Sequence, residues 1–355
     1  MLVTGGAGFI GANFIHYILV KDPGVSIVNL DLLTYAGNIA NLDNIQDESR
    51  HHFVKGDVCD RNLIDRLLRD HKIDTIVHFA AESHVDRSIN GPAVFVKTNF
   101  EGTSTLLEAA RVYWQEEMKW SKEDCRFHQI STDEVYGSLD RETPAFTETT
   151  PYAPNSPYSA SKAGADHLVR AYYHTFGLPV TISCCSNNYG PLQHQEKLVP
   201  TVIRSCINKQ LIPIYGDGSN IRDWLFVIDH CSAVDSILRL GKVGELYNIG
   251  GNNEVANIDI VLHICRILDE LVPHDLEGGY ASLISFVTDR PGHDWRYAIA
   301  ADKLKSATGW TPESNFKQML STTIQMYAEL IPMGSTANML NEIGMSRNGH
   351  ASTSR

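Results

Sequence analysis

Short apolar runs alternate with helical patterns along the first half of the chain. After an opening apolar run at residues 2–4, the candidate strands are residues 25–30, 52–55, 75–79, 126–131 and 179–184. Between them, amphipathic helical patterns occupy residues 62–71, 92–113 and 157–176. Because strands that alternate with helices usually pair in parallel, this order predicts an α/β fold with a doubly wound parallel sheet.

The rhythm changes after residue 185, where turn-rich segments separate shorter helical patterns at residues 198–209, 258–271 and 315–330. Residues 229–248 are expected to return a helix and a strand to the first sheet. We therefore predict a cofactor-binding domain over residues 1–185 with about 226–250, and a smaller α/β substrate-binding lobe over residues 186–225 and 251–330. Residues 331–355 lack periodicity, which predicts a poorly ordered tail.

The turn after the first apolar run carries glycines at the spacing of a dinucleotide-binding loop. Gly5, Gly8 and Gly11 follow G-x-x-G-x-x-G, and Gly6 adds G-x-G-x-x-G. Glycines allow the backbone to approach a pyrophosphate closely, and the following helix offers free N–H groups to it. Asp31 ends the next strand, where this Rossmann-type fold places an acid on the adenosine ribose. Since an anion there repels a 2′-phosphate, the pattern favours NAD over NADP.

Polar residues follow the carboxyl ends of successive candidate strands. They are Asp31, Asp57, residues 80–83, residues 132–134 and residues 187–188. Ligands of open α/β sheets bind along this edge. These residues are therefore expected to line one crevice.

Two pairs of residues in the chain indicate chemistry. Tyr158 and Lys162 lie one helical turn apart, and an ammonium beside a phenol favours the phenolate, which is a base at ordinary pH. Such a base removes a hydroxyl proton while a nicotinamide takes the hydride. Asp133 and Glu134 are adjacent carboxylates, and one ionised member raises the pKa of the other. The combination predicts redox-assisted elimination, in which cleavage of a C–O bond follows oxidation.

Net charge, apolar runs and the cysteine and histidine patterns exclude several classes of protein. A net charge of −12 argues against nucleic-acid or anionic-membrane partners, and no apolar run approaches the length of a membrane span or a signal peptide. The seven cysteines lack C-x-x-C spacing and are predicted to be reduced thiols of a cytoplasmic protein. No metal-ligand spacing occurs among the fifteen histidines, so we expect no metal site.

Longer motifs resemble one family. They lie at residues 4–11 (TGGAGFIG), 33–38 (LTYAGN), 80–89 (AAESHVDRSI), 131–137 (STDEVYG), 158–162 (YSASK), 186–191 (SNNYGP), 196–198 (EKL), 215–225 (YGDGSNIRDWL), 244–251 (GELYNIGG) and 289–297 (DRPGHDWRY). These segments resemble the extended short-chain dehydrogenase/reductases and, among them, the dTDP-glucose 4,6-dehydratases. The Thr-Asp-Glu triplet at residues 132–134 distinguishes these dehydratases from the related 4-epimerases and decarboxylases, which usually lack the Asp.

The resemblance implies a three-step cycle on dTDP-glucose with tightly bound NAD. Tyr158 takes the proton of the 4-hydroxyl, Lys162 lowers the pKa of Tyr158, and Thr132 hydrogen-bonds the 4-oxygen. Glu134 then removes the C5 proton while protonated Asp133 donates to the departing 6-hydroxyl. Hydride returned to C6 completes a net lyase reaction that yields a 4-keto-6-deoxy sugar.

The resemblance also implies two sets of binding residues and an assembly. The NAD set is Gly5, Gly8, Phe9, Ile10, Gly11, Asp31, Leu32, Thr34, Asp57, Val58, Ala80, Ala81, Ser83, Thr98, Tyr158, Lys162 and Asn188. The sugar-nucleotide set is Ser83, Thr132, Asn187, Lys197, Leu198, Pro213, Tyr215, Arg222, Asn257, Asp289, Arg290 and His293, with the two arginines as partners for a diphosphate. A homodimer is expected, in which the helices at 92–113 and 157–176 pair through exposed positions such as Leu106, Leu107 and Ala110.

Some positions depart from the family pattern, and some alternatives stay open. Leu32 replaces a common Lys, His194 and Gln195 replace a common Phe-Pro, and Ala300 stands where Asp is usual. The second change is expected to reshape the loop over the substrate. The alternatives are a dehydratase of UDP- or GDP-sugars, a sugar-nucleotide 4-epimerase, and an NAD-sensing module without catalysis.

Overall fold

The computed structural model describes residues 1–45 and 47–333, and a seven-stranded parallel sheet forms its centre. The strands are β1 (Leu2–Thr4), β2 (Ile27–Asp31), β3 (His51–Lys55), β4 (Thr75–His78), β5 (Arg126–Thr132), β6 (Val180–Cys185) and β10 (Leu246–Ile249). Their order is β10-β6-β5-β4-β1-β2-β3, and all neighbours are parallel. The predicted doubly wound sheet is confirmed. The strand order reverses between β1 and β4, where such folds bind their ligands.

Helices cover both faces of this sheet. They are α1 (Phe9–Lys21), α2 (Arg61–Asp70), α3 (Val85–Asn90), α4 (Pro92–Phe95), α5 (Gly102–Arg111), α6 (Pro157–Phe176) and α8 (Val227–Leu240). One apolar core includes Ile15 of α1 and Val234 of α8, and a second, on the other face, includes Leu67 of α2 and Leu107 of α5. The inner strands are therefore shielded from water on both sides, as parallel sheets require, whereas β3 at the edge of the sheet has exposed residues.

Helices α4 and α5 belong to one continuous helical segment from Pro92 to Glu117, with π-helical stretches at Val96–Glu101 and Val112–Glu117. The prediction that Leu106, Leu107 and Ala110 are exposed for dimerisation is wrong, because all three are fully buried in the protomer core. Periodicity marks which side of a helix is apolar but not which neighbour covers it. The exposed apolar side chains of this helical segment include Val94, Val96 and Phe100 instead.

A smaller set of elements follows β6. It contains a three-stranded sheet of β7 (Asn187–Tyr189), β9 (Ile221–Phe226) and β11 (Glu254–Ala256), and a two-stranded sheet of β8 (Ile212–Tyr215) and β12 (Ile284–Val287). The helices are α7 (Leu198–Ile207), α9 (Asn257–Leu271), α10 (Asp302–Thr308) and α11 (Phe316–Met333). The sequence analysis predicted three of these helices but did not identify the short strands. The domain boundaries themselves stay a prediction.

The two parts of the predicted second lobe, residues 186–225 and 251–330, continue into different structures. Helix α8 is followed by β10, which pairs with β6 in the central sheet, in agreement with the predicted return of the chain. Helix α11 continues to Met333, three residues into the segment predicted to be a tail. The rest of that predicted tail, residues 334–355, lies outside the described residues.

In the part of the chain that the structure describes, no helix is both long enough and apolar enough to cross a membrane. All seven cysteines lie in that part, and each is a free thiol.

Candidate active site

One crevice runs along the carboxyl edge of β1, β2, β3, β4, β5 and β6. Every residue predicted for NAD lines it, from Gly5 in the first turn to Asn188 after β6. The strand-end residues Asp31, Asp57 and Ala80 meet there although they lie far apart in the chain. The expected convergence of the strand ends on one crevice therefore occurs in the fold.

The glycine turn forms a cradle that side chains would fill. Gly5 has a φ of 70°, and a Cβ there would lie 2.6 Å from the backbone nitrogen of Ala80. A Cβ on Gly11 would lie 2.3 Å from the carbonyl oxygen of Gly5. At Gly8 the nearest protein atom to such a Cβ is 3.2 Å away, so the protein itself crowds this position least. The turn thus fits a dinucleotide, whose pyrophosphate needs close approach to the backbone at the start of α1.

Asp31 connects the end of β2 to this turn. One carboxylate oxygen accepts the backbone N–H of Ala7 at 2.9 Å, and the other accepts that of Leu33 at 2.7 Å. Burial raises the pKa of Asp31, and the two backbone hydrogen bonds oppose that rise. Asp31 therefore holds the two loops that border the predicted adenosine end of the crevice. The residues around this crevice fit NAD.

The end of β5 places Thr132, Asp133 and Glu134 in a tight turn. Residues Asp133–Tyr136 form a 3₁₀-helix, and Thr132 is its N-cap, with its hydroxyl accepting the backbone N–H of Glu134 at 3.3 Å. The same hydroxyl donates to Oδ1 of Asp133 at 3.4 Å. The cap thereby fixes how both carboxylates leave the strand.

Tyr158 and Lys162 come from the first turns of α6. Ser156 and Ser159 form a capping box, and Pro157 occupies the first helical position, where the helix predicted over residues 157–176 begins. This start is fixed by hydrogen bonds of 3.0 and 3.1 Å between the two serines, each from a backbone N–H to the other hydroxyl. Both Tyr158 and Lys162 are buried and line the crevice with the carboxylate pair.

The two neighbouring carboxylates lie in different electrostatic surroundings. Asp133 is 2% exposed, and burial followed by the charge of Glu134 raises its pKa well above the ordinary value. Its Oδ2 is buried without a hydrogen-bond partner among the described residues. Asp133 is therefore suited to be the protonated member of the pair.

Glu134 faces cations that Asp133 largely lacks. Burial raises its pKa, but Arg290, Arg222 and Lys197 all act in the opposite direction. These three positive charges favour the ionised carboxylate. Burial thus raises the pKa of both carboxyl groups, but that of Asp133 rises well above its ordinary value while three cations limit the rise at Glu134, a difference that suits an acid/base pair.

The electrostatics of Tyr158 differ from the sequence prediction. Burial raises its pKa well above the ordinary value, the charge of Glu134 adds to the rise, and a hydrogen bond with Thr132 lowers it. Lys162 instead donates to the carbonyl oxygen of Ile130 at 2.6 Å. The protein alone therefore does not produce the lowered Tyr158 pKa that the Tyr-x-x-x-Lys spacing predicted.

Asp166 is a buried carboxylate that the sequence analysis missed. Its Oδ2 accepts hydrogen bonds from the hydroxyls of Ser131 at 2.5 Å and Tyr152 at 3.1 Å. Burial raises its pKa to about 6, while the charge of Lys162 acts against this rise. The signal was available, since Asp166 follows Lys162 by one helical turn and shares its side of α6.

The residues predicted for the sugar nucleotide divide into two groups. Ser83, Thr132, Asn187 and Lys197 line the crevice, and the Lys197 ammonium donates to the Ser83 carbonyl at 3.2 Å. The others come from elements after residue 197 and are not part of that lining: Leu198, Pro213, Tyr215, Arg222, Asn257, Asp289, Arg290 and His293.

Four members of the second group lie together around Asp86, which the sequence analysis did not single out. Asp86 accepts the Tyr215 hydroxyl at 3.0 Å and lies 3.7 Å from the Arg290 guanidinium. His293 packs against the Tyr215 ring and hydrogen-bonds Asp289 at 2.6 Å. Asp86 belongs to the AAESHVDRSI motif, so the motif did contain the signal.

Arg222 is placed differently from Arg290. Its guanidinium donates to the carbonyl oxygens of Ile221 at 2.8 Å and Asp294 at 3.0 Å and lies 4.3 Å from the centre of the Tyr297 ring. These backbone contacts occupy donors that the sequence analysis reserved for a diphosphate. Its positive charge also acts to lower the pKa of both Glu134 and Asp133.

Of the remaining predicted residues, Leu198 begins α7, Asn257 begins α9 and Pro213 lies in β8. The loop over the crevice contains two of the departures noted above, His194 and Gln195. Glu196 lies within 3.6–3.7 Å of His84, Arg87 and His194, and Arg87 stacks 3.6 Å above the ring of Tyr35. His194 therefore joins a cluster of polar side chains around Glu196 that links this loop to the cofactor side.

No group of His, Cys, Asp or Glu side chains suited to a metal ion occurs within residues 1–45 and 47–333. The glycine cradle and the buried Tyr158, Lys162 and carboxylate pair define an NAD-dependent enzyme of the extended short-chain dehydrogenase/reductase class. Three comparisons narrow this class.

A family model described as GDP-mannose 4,6 dehydratase matches residues 2–323. A dTDP-glucose 4,6-dehydratase of Xanthomonas campestris pv. campestris (strain B100) is 54% identical over 326 residues, which are 92% of each chain. A crystal structure of the Bacillus anthracis dTDP-glucose 4,6-dehydratase with NAD has a TM-score of 0.82 and 46% identity, over 94% of this chain and 97% of that one. The Streptomyces venezuelae dTDP-glucose 4,6-dehydratase, also solved with NAD, has a TM-score of 0.84 and 43% identity, over 94% and 98%. The chain belongs to the dTDP-glucose 4,6-dehydratase family.

Proposed function

We propose that this protein converts dTDP-glucose to dTDP-4-keto-6-deoxyglucose and water. The observation that carries the proposal is the Asp133–Glu134 pair, in which burial favours a protonated Asp133 while three cations favour an ionised Glu134. A 4-epimerase needs Tyr158 and Lys162 but has no step that uses such a pair. Elimination of a hydroxyl group needs both an acid and a base.

The first step is oxidation at C4. Tyr158 takes the proton of the 4-hydroxyl, and Thr132 holds the 4-oxygen. NAD, when bound, supplies the hydride acceptor for C4, the hydride donor for C6 and a positive charge that favours the phenolate. The Lys162 ammonium donates to the Ile130 carbonyl and places a second positive charge on the side of α6 that carries Tyr158.

The second step is elimination across C5 and C6. The new C4 ketone acidifies the C5 proton, and Glu134 removes it. Asp133 protonates the 6-oxygen as the C6–O bond breaks, so water leaves. Glu134 then returns its proton to C5 when C6 is reduced. The two carboxyl groups have separate tasks because the protein keeps them in different protonation states.

The cluster around Asp86 supports a role in holding the nucleotide diphosphate. Arg290 is the cation there with a fork suited to phosphate oxygens, and Lys197 adds a second positive charge near Glu134. We further propose a homodimer, with Val94, Val96 and Phe100 in its interface because they are exposed apolar positions of the helical segment from Pro92 to Glu117. The seven free thiols support a cytoplasmic location, where thiols stay reduced.

The direct test is incubation with dTDP-glucose and, separately, with UDP-glucose. We expect a 4-keto-6-deoxy product from dTDP-glucose at a kcat/KM well above that for UDP-glucose. The product is identified by mass loss of one water and by NMR of its new methyl group. A 4-epimer without loss of water, or preference for UDP-glucose, would contradict the proposal.

A further inference from the structure

At the end of the proposed cycle, Tyr158 has gained one proton and Asp133 has lost one. Tyr158 gains the 4-hydroxyl proton and finishes as a phenol, while Asp133 gives its proton to the departing 6-hydroxyl and finishes as a carboxylate. Glu134 takes the C5 proton and returns it, so it ends as it began. The next turnover needs an ionised Tyr158 and a protonated Asp133. One proton must therefore pass from Tyr158 to Asp133 after each turnover.

The hydroxyl of Thr132 lies on a path between these two groups. It donates to Oδ1 of Asp133 at 3.4 Å, and its interaction with the phenol lowers the pKa of Tyr158. The backbone N–H of Glu134 donates to the Thr132 hydroxyl oxygen at 3.3 Å, which holds this hydroxyl at the start of the turn. A hydroxyl can accept one proton while it donates another, so this contact pattern suits transfer in either direction.

We propose that Thr132 carries the proton from Tyr158 back to Asp133 and so resets the site. Asp133 takes the Thr132 hydroxyl proton while the Thr132 oxygen takes the phenol proton of Tyr158. Two O–H bonds break and two form, no electrons are transferred, and no proton enters or leaves the protein. This inference rests on the proposed dehydratase function, because only that cycle ends with an extra proton on Tyr158 and one missing from Asp133.

Burial makes a route within the protein preferable to one through solvent. Tyr158 and Thr132 are each 8% exposed, and Asp133 is 2% exposed. Burial also raises the pKa of Tyr158 and of Asp133, so both groups favour their neutral form and compete for one proton. Lys162 does not provide an equivalent path, since its ammonium is directed to the Ile130 carbonyl.

The experiment compares the first turnover with later turnovers. Wild type, Thr132→Val and Thr132→Ser are equilibrated, mixed rapidly with excess dTDP-glucose, and quenched over time for product. Thr132→Val removes the hydroxyl at nearly constant volume, and Thr132→Ser keeps it. Bound NAD and circular dichroism are measured for each variant to verify the fold, and Thr132→Ala serves as a second variant without a hydroxyl.

Loss of the 4-oxygen contact slows every turnover of Thr132→Val, but loss of the relay slows only those after the first. We therefore expect Thr132→Val to form about one product per site in a first phase and further product more slowly. Its ratio of first-turnover rate to steady-state rate should exceed that of wild type by about tenfold or more. Thr132→Ser should keep the wild-type ratio. An unchanged ratio in both Thr132→Val and Thr132→Ala would overturn the relay. Absence of any 4-keto-6-deoxy product from wild type would instead overturn the proposed function.

Discussion

The cofactor side and the substrate side of the crevice are built in different ways. The cofactor side consists of glycines, backbone N–H groups and strand ends, and all its predicted residues line one cavity. The substrate side depends on side chains that meet across long sequence separations, such as the Tyr215 hydroxyl and Asp86, which are 129 positions apart. A local motif can specify the first kind of site, but only the tertiary fold assembles the second.

The largest effect on ligand binding is expected on the cofactor side from Gly11→Ala. Its Cβ would lie 2.3 Å from the Gly5 carbonyl, and relief of such overpacking costs about 1–3 kcal/mol and distorts the turn. Wild type should be purified with NAD bound, because the cofactor is regenerated in every cycle. The variant should lose nearly all of it, as measured by chromatography of nucleotide released on denaturation. The control is Gly91→Ala, where the nearest atom is 3.8 Å away; equal NAD in both variants would refute the cradle.

A smaller effect is expected on the substrate side from Arg290→Ala. Hydrogen bonds to charged groups contribute about 1.5–3 kcal/mol, so the KM for dTDP-glucose should rise about tenfold or more. Bound NAD should not change, which separates the two sides of the crevice. The matched control is Arg66→Ala, an exposed arginine on α2. Initial rates that show an unchanged KM would remove Arg290 from the substrate side.

Two substitutions in the helical segment from Pro92 to Glu117 distinguish the stability of the protomer from the assembly of the dimer. Leu107→Ala should lower the free energy of unfolding by about 2–5 kcal/mol, because Leu107 is fully buried in the core. Val96→Glu places a charge on an exposed apolar position and should halve the mass measured by light scattering at micromolar concentration. A wild-type monomer under these conditions, or an unchanged dimer of Val96→Glu, would contradict the proposed interface.

The smallest expected effect is a shift in pH dependence. Glu134 acts as a base only when ionised, so kcat/KM should fall as the pH drops through its pKa, which burial raises above the ordinary value. Lys197 opposes that rise, so Lys197→Met should move the acidic limb to higher pH and Lys197→Arg should not. The measurement is a pH profile of kcat/KM for the three proteins. A limb that stays in place or moves to lower pH in Lys197→Met would contradict the action of this lysine on Glu134.

The sequence predicted the parallel sheet, the start of α6 and the cofactor lining because each depends on short-range signals. Glycine spacing, a serine cap before Pro157 and an acid at the end of β2 can be identified without knowledge of the tertiary fold. Asp86 and Asp166 were missed because their importance arises from partners brought close by folding.

Two sequence predictions failed for related reasons. The expected exposure of Leu106 and Leu107 ignored that one helical segment packs against several neighbours. The expected low pKa of Tyr158 assumed that a nearby lysine dominates, whereas burial and the Glu134 charge outweigh it in the fold. Both quantities depend on the complete surroundings of a side chain, which spacing along the chain does not describe.

The central claim is that oxidation and elimination use different residues of one crevice, and stopped-flow absorbance of the reduced nicotinamide tests it most directly. Asp133→Asn removes the acid for elimination but leaves Tyr158 and Lys162, so the absorbance should rise on mixing with dTDP-glucose while turnover falls by about 10²–10⁴-fold. Tyr158→Phe lacks the base for the 4-hydroxyl and should show no rise. Equal loss of the signal in both variants, or full turnover by Asp133→Asn, would contradict this division of labour.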